Sequence, residues 1–196
     1  MRVSSKLSPI KEVSNEKFED IIENAYEIFR YKFMDKNNRP TLFDKFIFID
    51  FKHWVHNKAD CFWHLVSLHE TEQFGVFPCE NNISESICKE NCISEVKQVR
   101  IKNNQLRDLC IFRMLRIEWV MDIVKLADRK DENIKVWIKD DKLHIRFQHE
   151  DVDYVVILLN AKNRYQLISA FPVFYINKKK QFDTDYNNYI QMQKNQ

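Results

Sequence analysis

The sequence predicts an α+β fold: an N-terminal helix, then a long central helix packed on a C-terminal antiparallel sheet built as a meander. Two patterns carry that expectation. Residues 104–128 keep apolar side chains at helical spacing without interruption. Residues 134–170 hold four strand-like segments whose links are too short for the long crossover that parallel neighbours need. The bulk composition agrees, since 44% hydrophobic and 31% charged residues describe a globular chain rather than a disordered one. A length of 196 residues suits a single domain with a substantial core.

In chain order, residues 1–14 are polar, carry Pro9 and read as a flexible, loosely docked arm ahead of one domain over 15–196. Phe18, Ile21, Ile22, Ala25, Ile28 and Phe29 recur at helical spacing, so 15–34 is an amphipathic helix with Ser14 as its N-cap. Phe46–Phe51 is aromatic and β-branched and reads as a strand, and Cys61–Leu68 reads as a second. Residues 70–98 are polar and irregular, an insertion. The helix at 104–128 follows, then strands at Ile134–Ile138, Lys142–Gln148, Tyr154–Leu159 and Arg164–Ala170. The continuously apolar Tyr154–Leu159 fits a central strand covered on both faces. Beyond Pro172, Val173–Ile176 suits a short edge strand, and the polar tail turns helical around Tyr186–Ile190.

Composition also excludes chemistry. With Gly75 the one glycine, neither a P-loop nor a dinucleotide-binding loop can be built, because each needs several glycines at fixed spacing. No HExxH, EF-hand or paired metal carboxylates are present, so neither cofactor nor metal is expected. Cys61, Cys79, Cys88, Cys92 and Cys110 are an odd set with no CxxC, which points to free thiols, Cys110 being a small core residue. A net charge of +2 is too small for a general nucleic-acid coat but compatible with a local basic groove. Without an apolar leader or a membrane-length stretch, the expected compartment is the cytoplasm, with no membrane partner.

The anomaly is charge on an apolar face. On a helical wheel Leu106, Leu109, Cys110, Ile117, Val120, Met121 and Val124 share one side, with Arg113 near its middle and Arg116 between Leu109 and Ile123. A guanidinium stays charged, so each head needs acceptors or a wet cleft. Structural pairing beneath the sheet, or stems lying on the core with heads in water, is one reading. The other is an anion-holding cleft, since arginine's planar donors suit phosphate. His64, between Trp63 and Leu65, is either a satisfied core histidine or a cleft acid–base, with His69 just past the strand end. His144 alternates onto the sheet's other, solvated face, and His149 falls in an exposed turn. Tyr165, Leu167 and Ser169 share one strand face, opposite Arg164, Gln166, Ile168 and Ala170. No GxSxG elbow surrounds Ser169, which leaves serine hydrolase chemistry unsupported. His69, Lys162 and Arg164 are candidate substrate-binding groups.

The strings Phe62-Trp63-His64-Leu65-Val66-Ser67, Arg113-Met114-Leu115-Arg116-Ile117-Glu118-Trp119, Asp153–Leu158 and Tyr165–Val173, in that order over roughly 45–176, resemble phage and mobile-element proteins of the barnase–EndoU–colicin–RelE nuclease class. The resemblance implies a metal-independent endoribonuclease, in which the RNA 2′-hydroxyl attacks the adjacent phosphate. His64 would be its general acid or base, Arg113 and Arg116 would neutralise phosphoryl charge, and Tyr165 and Ser169 would donate hydrogen bonds to the phosphate or a base. It also implies an RNA substrate and an immunity or antitoxin protein as partner. The alternative is a non-catalytic RNA- or protein-binding module of the same fold. The departure from the class is the Cys-containing segment at 70–98.

Overall fold

The computed structural model describes residues 4–11, 17–39, 41–69 and 97–195, and within them the chain is a mixture of helices and strands. In order these are α1 (Phe18–Phe29), continued by a π-helical turn at Arg30–Met34, then β1 (Thr41–Leu42), β2 (Lys45–Phe48), β3 (Trp54–Val55), β4 (Lys58–Ala59) and α2 (Asp60–Val66). β5 (Ser67–His69), β6 (Gln98–Arg100), β7 (Leu106–Leu109), α3 (Ile111–Met114) and α4 (Trp119–Asp128) follow. The chain continues with β8 (Ile134–Lys139), β9 (Lys142–His149), β10 (Val152–Ala161), β11 (Arg164–Pro172) and α5 (Ile176–Lys194). Two compact units result: one holds residues 9–38 and 49–118, the other 2–8, 39–48 and 119–196.

The second unit carries a six-stranded sheet in the order β1-β2-β11-β10-β9-β8. β8 to β11 form the expected meander, each strand antiparallel to the next. Two-residue links suffice; Asp140 and Asp141 both take positive φ (49° and 59°), the conformation whose twist matches the flanking strands. β2 adds a strand that the meander alone did not foretell, pairing parallel to β11 with Phe46 opposite Arg164 and Phe48 opposite Gln166. β10 is the central strand expected, and Tyr154, Val155, Val156 and Leu158 are all sealed from water. On one side Trp119 of α4 meets Tyr154 edge-on at 5.9 Å. On the other, Phe182 of α5 joins Trp137, Val155 and Val173 in a core cluster.

Four expectations change in this unit. The tail is not an edge strand followed by a short helical stretch, because α5 already begins at Ile176. Its mostly polar surface hides it from periodicity. Docking comes instead from Phe182 and from the ion pairs Lys135–Asp183 and Lys139–Asp185, both 2.8 Å. The arm is tied down at residues 4–8: Ser8 donates its N–H to Asp122, the Trp119 indole donates to the Ser8 carbonyl, and Lys6 pairs with Asp131. His144 is not solvated; it is buried beneath α5, stacked on Trp137 at 5.0 Å, and burial holds its imidazole below the usual value. His149 likewise is half-buried at the end of β9, with Nδ1 2.8 Å from the Ser4 hydroxyl.

α4 ends without glycine. Lys130 has φ 56°, its N–H reaches the Ala127 carbonyl, and the Asp131 N–H reaches back to Leu126. This is the paired-bond helix end in which glycine is normal at the left-handed position. Lys130→Gly is therefore expected to stabilise the protein by about 0.5–1 kcal/mol, read as a higher urea midpoint at unchanged slope.

In the first unit, α1 buries Phe18, Ile21, Ala25 and Phe29 of the stripe that spacing predicted, with Tyr26 beside them, while Ile22 and Ile28 are half-buried. Helix begins at Phe18, and Ser14 lies outside the described residues. Phe62 meets Tyr26, Phe29 and Trp63 in an edge-on aromatic cluster. That cluster explains the first correction: residues 60–66 are helix rather than strand. Phe62, Trp63, Leu65 and Val66 are all buried on a single helical turn and a half, so packing overrides the β-propensity of the run. The second correction is larger. The single helix at 104–128 is broken into β7, α3, a turn at 115–118, and α4. β7 lies between β5 and β6, and those two strands take up its backbone groups. Of the expected insertion, residues 70–96, with Cys79, Cys88 and Cys92, lie outside the described residues, while Gln98 opens β6. Cys110 is buried as a core residue should be, and burial pushes the Cys61 thiol up to about 12, too high for a nucleophile at neutral pH.

Candidate active site

The best-defined polar cluster in the first unit is built around α2 and the strand that follows it. Helical spacing puts Asp60 and His64 four residues apart on one face, and His64 Nε2 lies 3.5 Å from Asp60 Oδ2. Asp60 is itself fixed, since its Oδ1 accepts the Lys102 backbone N–H at 3.1 Å. The chain then leaves the helix at Ser67, which is fully buried, and its side chain and carbonyl become the meeting point of two arginines. Arg107, across the β5–β7 pairing, donates from Nε to Ser67 Oγ (2.7 Å) and from a terminal nitrogen to the Ser67 carbonyl (3.1 Å). Arg113 of α3 donates to the same carbonyl and to the His64 carbonyl at 3.3 Å. The Ser67 hydroxyl donates in turn to the Trp63 carbonyl. Two cations thus sit at the carbonyl end of α2, where the helix field favours them.

The same arrangement sets the imidazole. Burial lowers the His64 pKa most, and the charges of Arg107 and Arg113 lower it further against the opposing pull of Asp60. His64 is therefore neutral at pH 7 and retains a ring lone pair. Its side chain is 38% exposed, so the ring is open to solvent. A neutral, oriented, accessible imidazole can accept a proton at neutral pH, and two guanidinium groups nearby favour an anion.

The structure divides the other sequence candidates. Arg113 is 3% exposed and Arg116 is fully enclosed, so neither head opens into a water-filled cleft as the wheel allowed. Arg116 sits in the turn after α3, its guanidinium carbon 3.3 Å from the Phe112 ring centre and its donor on the Phe112 carbonyl at 3.0 Å. The wheel failed because residues 106–116 are not one helix. His69 ends β5, opposite Arg107 in the ladder. Tyr165, Ser169, Lys162 and Arg164 belong to the second unit. Tyr165 is buried with Lys45 5.0 Å over its ring, and burial raises its phenol pKa. Ser169 does not share its face. The β10–β11 register slips between Ile157 and Leu158, leaving Ile168 as an extra residue, so the buried series runs Tyr165, Leu167, Ala170 and Ser169 turns the other way. Lys162 is exposed in the β10–β11 link, and exposed Arg164 lies over Phe48 at 4.5 Å.

Asp60 and Arg107 were not found from sequence. Asp60 has a signal, the i,i+4 spacing to His64, which becomes visible once the segment is read as helix. Arg107 has none, because its partner Ser67 is 40 residues away. Among the described residues no three His, Cys, Asp or Glu side chains group as metal ligands, and no helix is long and apolar enough to cross a membrane. The chain matches no protein-family model, no curated protein and no solved structure.

Proposed function

We propose that the chain is a metal-independent endoribonuclease in which His64 moves the proton. The observation that carries this reading is the accessible, neutral imidazole of His64, 3.5 Å from Asp60 and in the field of Arg107 and Arg113. In the reaction the imidazole takes the proton of an RNA 2′-hydroxyl as that oxygen bonds to phosphorus. The 5′-oxygen leaves with its bonding pair and takes a proton from water, which yields a cyclic phosphate and a free 5′-hydroxyl, and the imidazolium returns its proton to the hydroxide so formed. Asp60 orients the ring and offsets the imidazolium charge as it forms. Arg107 joins Arg113 as a source of positive potential for the phosphorane, while Arg116, enclosed in the core, becomes structural. His69, at the end of β5, remains a proposed RNA contact beside this site, and exposed Lys162 and Arg164 are proposed RNA contacts of the second unit; buried Tyr165, and Ser169 on the opposite strand face, keep only the roles that the nuclease resemblance implies. The same proposal takes in the immunity partner and the toxin or mobile-element role that the nuclease resemblance implies, and the cytoplasmic setting and the helix laid on the meander that the sequence suggests, with α4 in place of the unbroken helix.

The test is RNA cutting by purified protein in EDTA. His64→Ala is expected to slow cutting by about 10²–10⁴-fold with the melting temperature preserved. The rate of the parent protein should fall with acid through a pKa below 6.5, because the competent base is the neutral ring and its pKa is lowered. Equal cutting by His64→Ala, or cutting that vanishes with the chelator, overturns the proposal.

One observation favours a second reading, a non-catalytic binding module. The donors of Arg113 go to the carbonyls of α2, and Arg116 is sealed, so charge expected for the phosphate serves the fold. Inducing the parent and His64→Ala side by side in cells separates the two: equal growth supports the binding module and counts against a toxin.

A further inference from the structure

α5 covers only part of its side of the second unit's sheet. Phe182, Tyr186 and Tyr189 pack over Trp137, Ile157 and Phe171, toward β8 and the ends of β10 and β11. The opposite corner of that face, where β2 meets the start of β11, is left open. Pairing register places its side chains. Phe46 stands beside Arg164 in one row, and Phe48 beside Gln166 in the next, which continues through Leu159 to Lys142. Phe46 is 71% exposed although it lies inside a strand, the most exposed of the large hydrophobics described. Phe48 is half-buried, with the Arg164 guanidinium 4.5 Å from its ring centre.

We propose that this corner is a stacking platform for single-stranded RNA, with successive bases on Phe46 and on the Phe48–Arg164 pair. The choice of RNA rests on the ribonuclease reading; the platform itself rests on the sheet. Two phenylalanines at i and i+2 on one strand face stand roughly 7 Å apart, within reach of adjacent splayed bases. Every aromatic face accepts any base, so such a site binds without strict sequence preference. The charge is complementary. Arg164 and Lys142 on the strands and Lys162 in the adjoining link are exposed and positive, and no strand residue on this corner carries a carboxylate, Asp44 and Asp140–Asp141 lying in turns. Gln166 supplies an amide able to meet a base edge. A protein partner or a second copy of the chain would find the phenylalanines equally but would have no need of the Arg164 guanidinium laid on Phe48 with Lys162 beside it.

The probe is a fluorescein-labelled dodecamer of 2′-O-methyluridine, which lacks the attacking hydroxyl and so separates binding from cutting. The full chain is expected to bind it by fluorescence anisotropy. Phe46→Ala and Phe48→Ala should each weaken binding by about five- to 150-fold. Arg164→Ala should weaken it and lower the slope against log salt by roughly one. Phe46 is exposed, so its variant keeps the fold, and Phe46→Trp should bind more tightly. No binding at low salt, or binding unchanged by both phenylalanine variants, overturns the platform. So does a concentration-dependent dimer that Phe46→Ala abolishes, which would reassign the face to a protein contact. Binding that obeys these variants in a chain that never cuts unmodified RNA defeats the ribonuclease reading and leaves the platform standing.

Discussion

An Arg146→Met variant is expected to lose about 3–5 kcal/mol of folding stability. Arg146 is fully buried in β9 and grips Asp153 of β10 with two parallel bonds, Nε to Oδ1 at 2.8 Å and a terminal nitrogen to Oδ2 at 2.7 Å. Its remaining donor reaches Asp183 and the Lys179 carbonyl of α5 at 3.1 and 3.3 Å. One guanidinium therefore ties two strands to the helix that covers them. Burial alone would raise the Asp183 carboxyl, yet the Lys135 bond and the Arg146 charge hold it below the usual range. Methionine fills similar volume, so the loss is electrostatic. It takes the bidentate partner from the Asp153 carboxylate, only 9% exposed, and leaves it the longer contacts of Lys179 at 3.8 Å and the Gln148 amide at 3.4 Å, poor compensation for a buried charge. The check is urea denaturation of Arg146→Met, Asp153→Leu and the double variant. The double variant should be clearly more stable than the two single losses combined, because removing both charges leaves nothing uncompensated. A loss below about 1 kcal/mol in the single variant would mean that the pair behaves as a surface salt bridge.

Arg113→Ala is expected to cost about 2–4 kcal/mol, since it withdraws donors from two carbonyls at the end of α2 and empties a buried volume beside Ser67. Ser67 keeps its bonds from Arg107, so the cost falls mainly on the His64 carbonyl and the packing of α3. The consequence for function is direct. Arg113→Ala should lower the melting temperature and blunt activity together, whereas His64→Ala, at a half-exposed side chain, should blunt activity alone. An Arg113→Ala protein with an unchanged midpoint and no RNA cutting would show that the guanidinium acts on substrate and that its bonds to α2 are incidental. Arg113→Lys refines the comparison: it keeps the charge but not the planar fork, so partial stability with little activity points to geometry rather than potential.

The meander, the amphipathic α1 and the sealed central strand were legible in residue order, because each depends on neighbours a few positions apart. Short links force antiparallel pairing, periodic apolar residues mark a buried stripe, and a continuous apolar run marks a strand covered twice. Tertiary contacts decided the rest. Residues 106–109 have helical spacing but become β7, because β5 and β6 offer their backbone groups partners from far away in the chain. Residues 60–66 have strand-like composition but coil, because an aromatic cluster rewards a helical face. A single extra residue at Ile168 reverses the facing of Ser169. Arg107 meets Ser67 across 40 residues with no pattern between them. Local periodicity reports what a segment can bury; which backbone and which cation it finally meets depends on contacts that only the folded chain assembles.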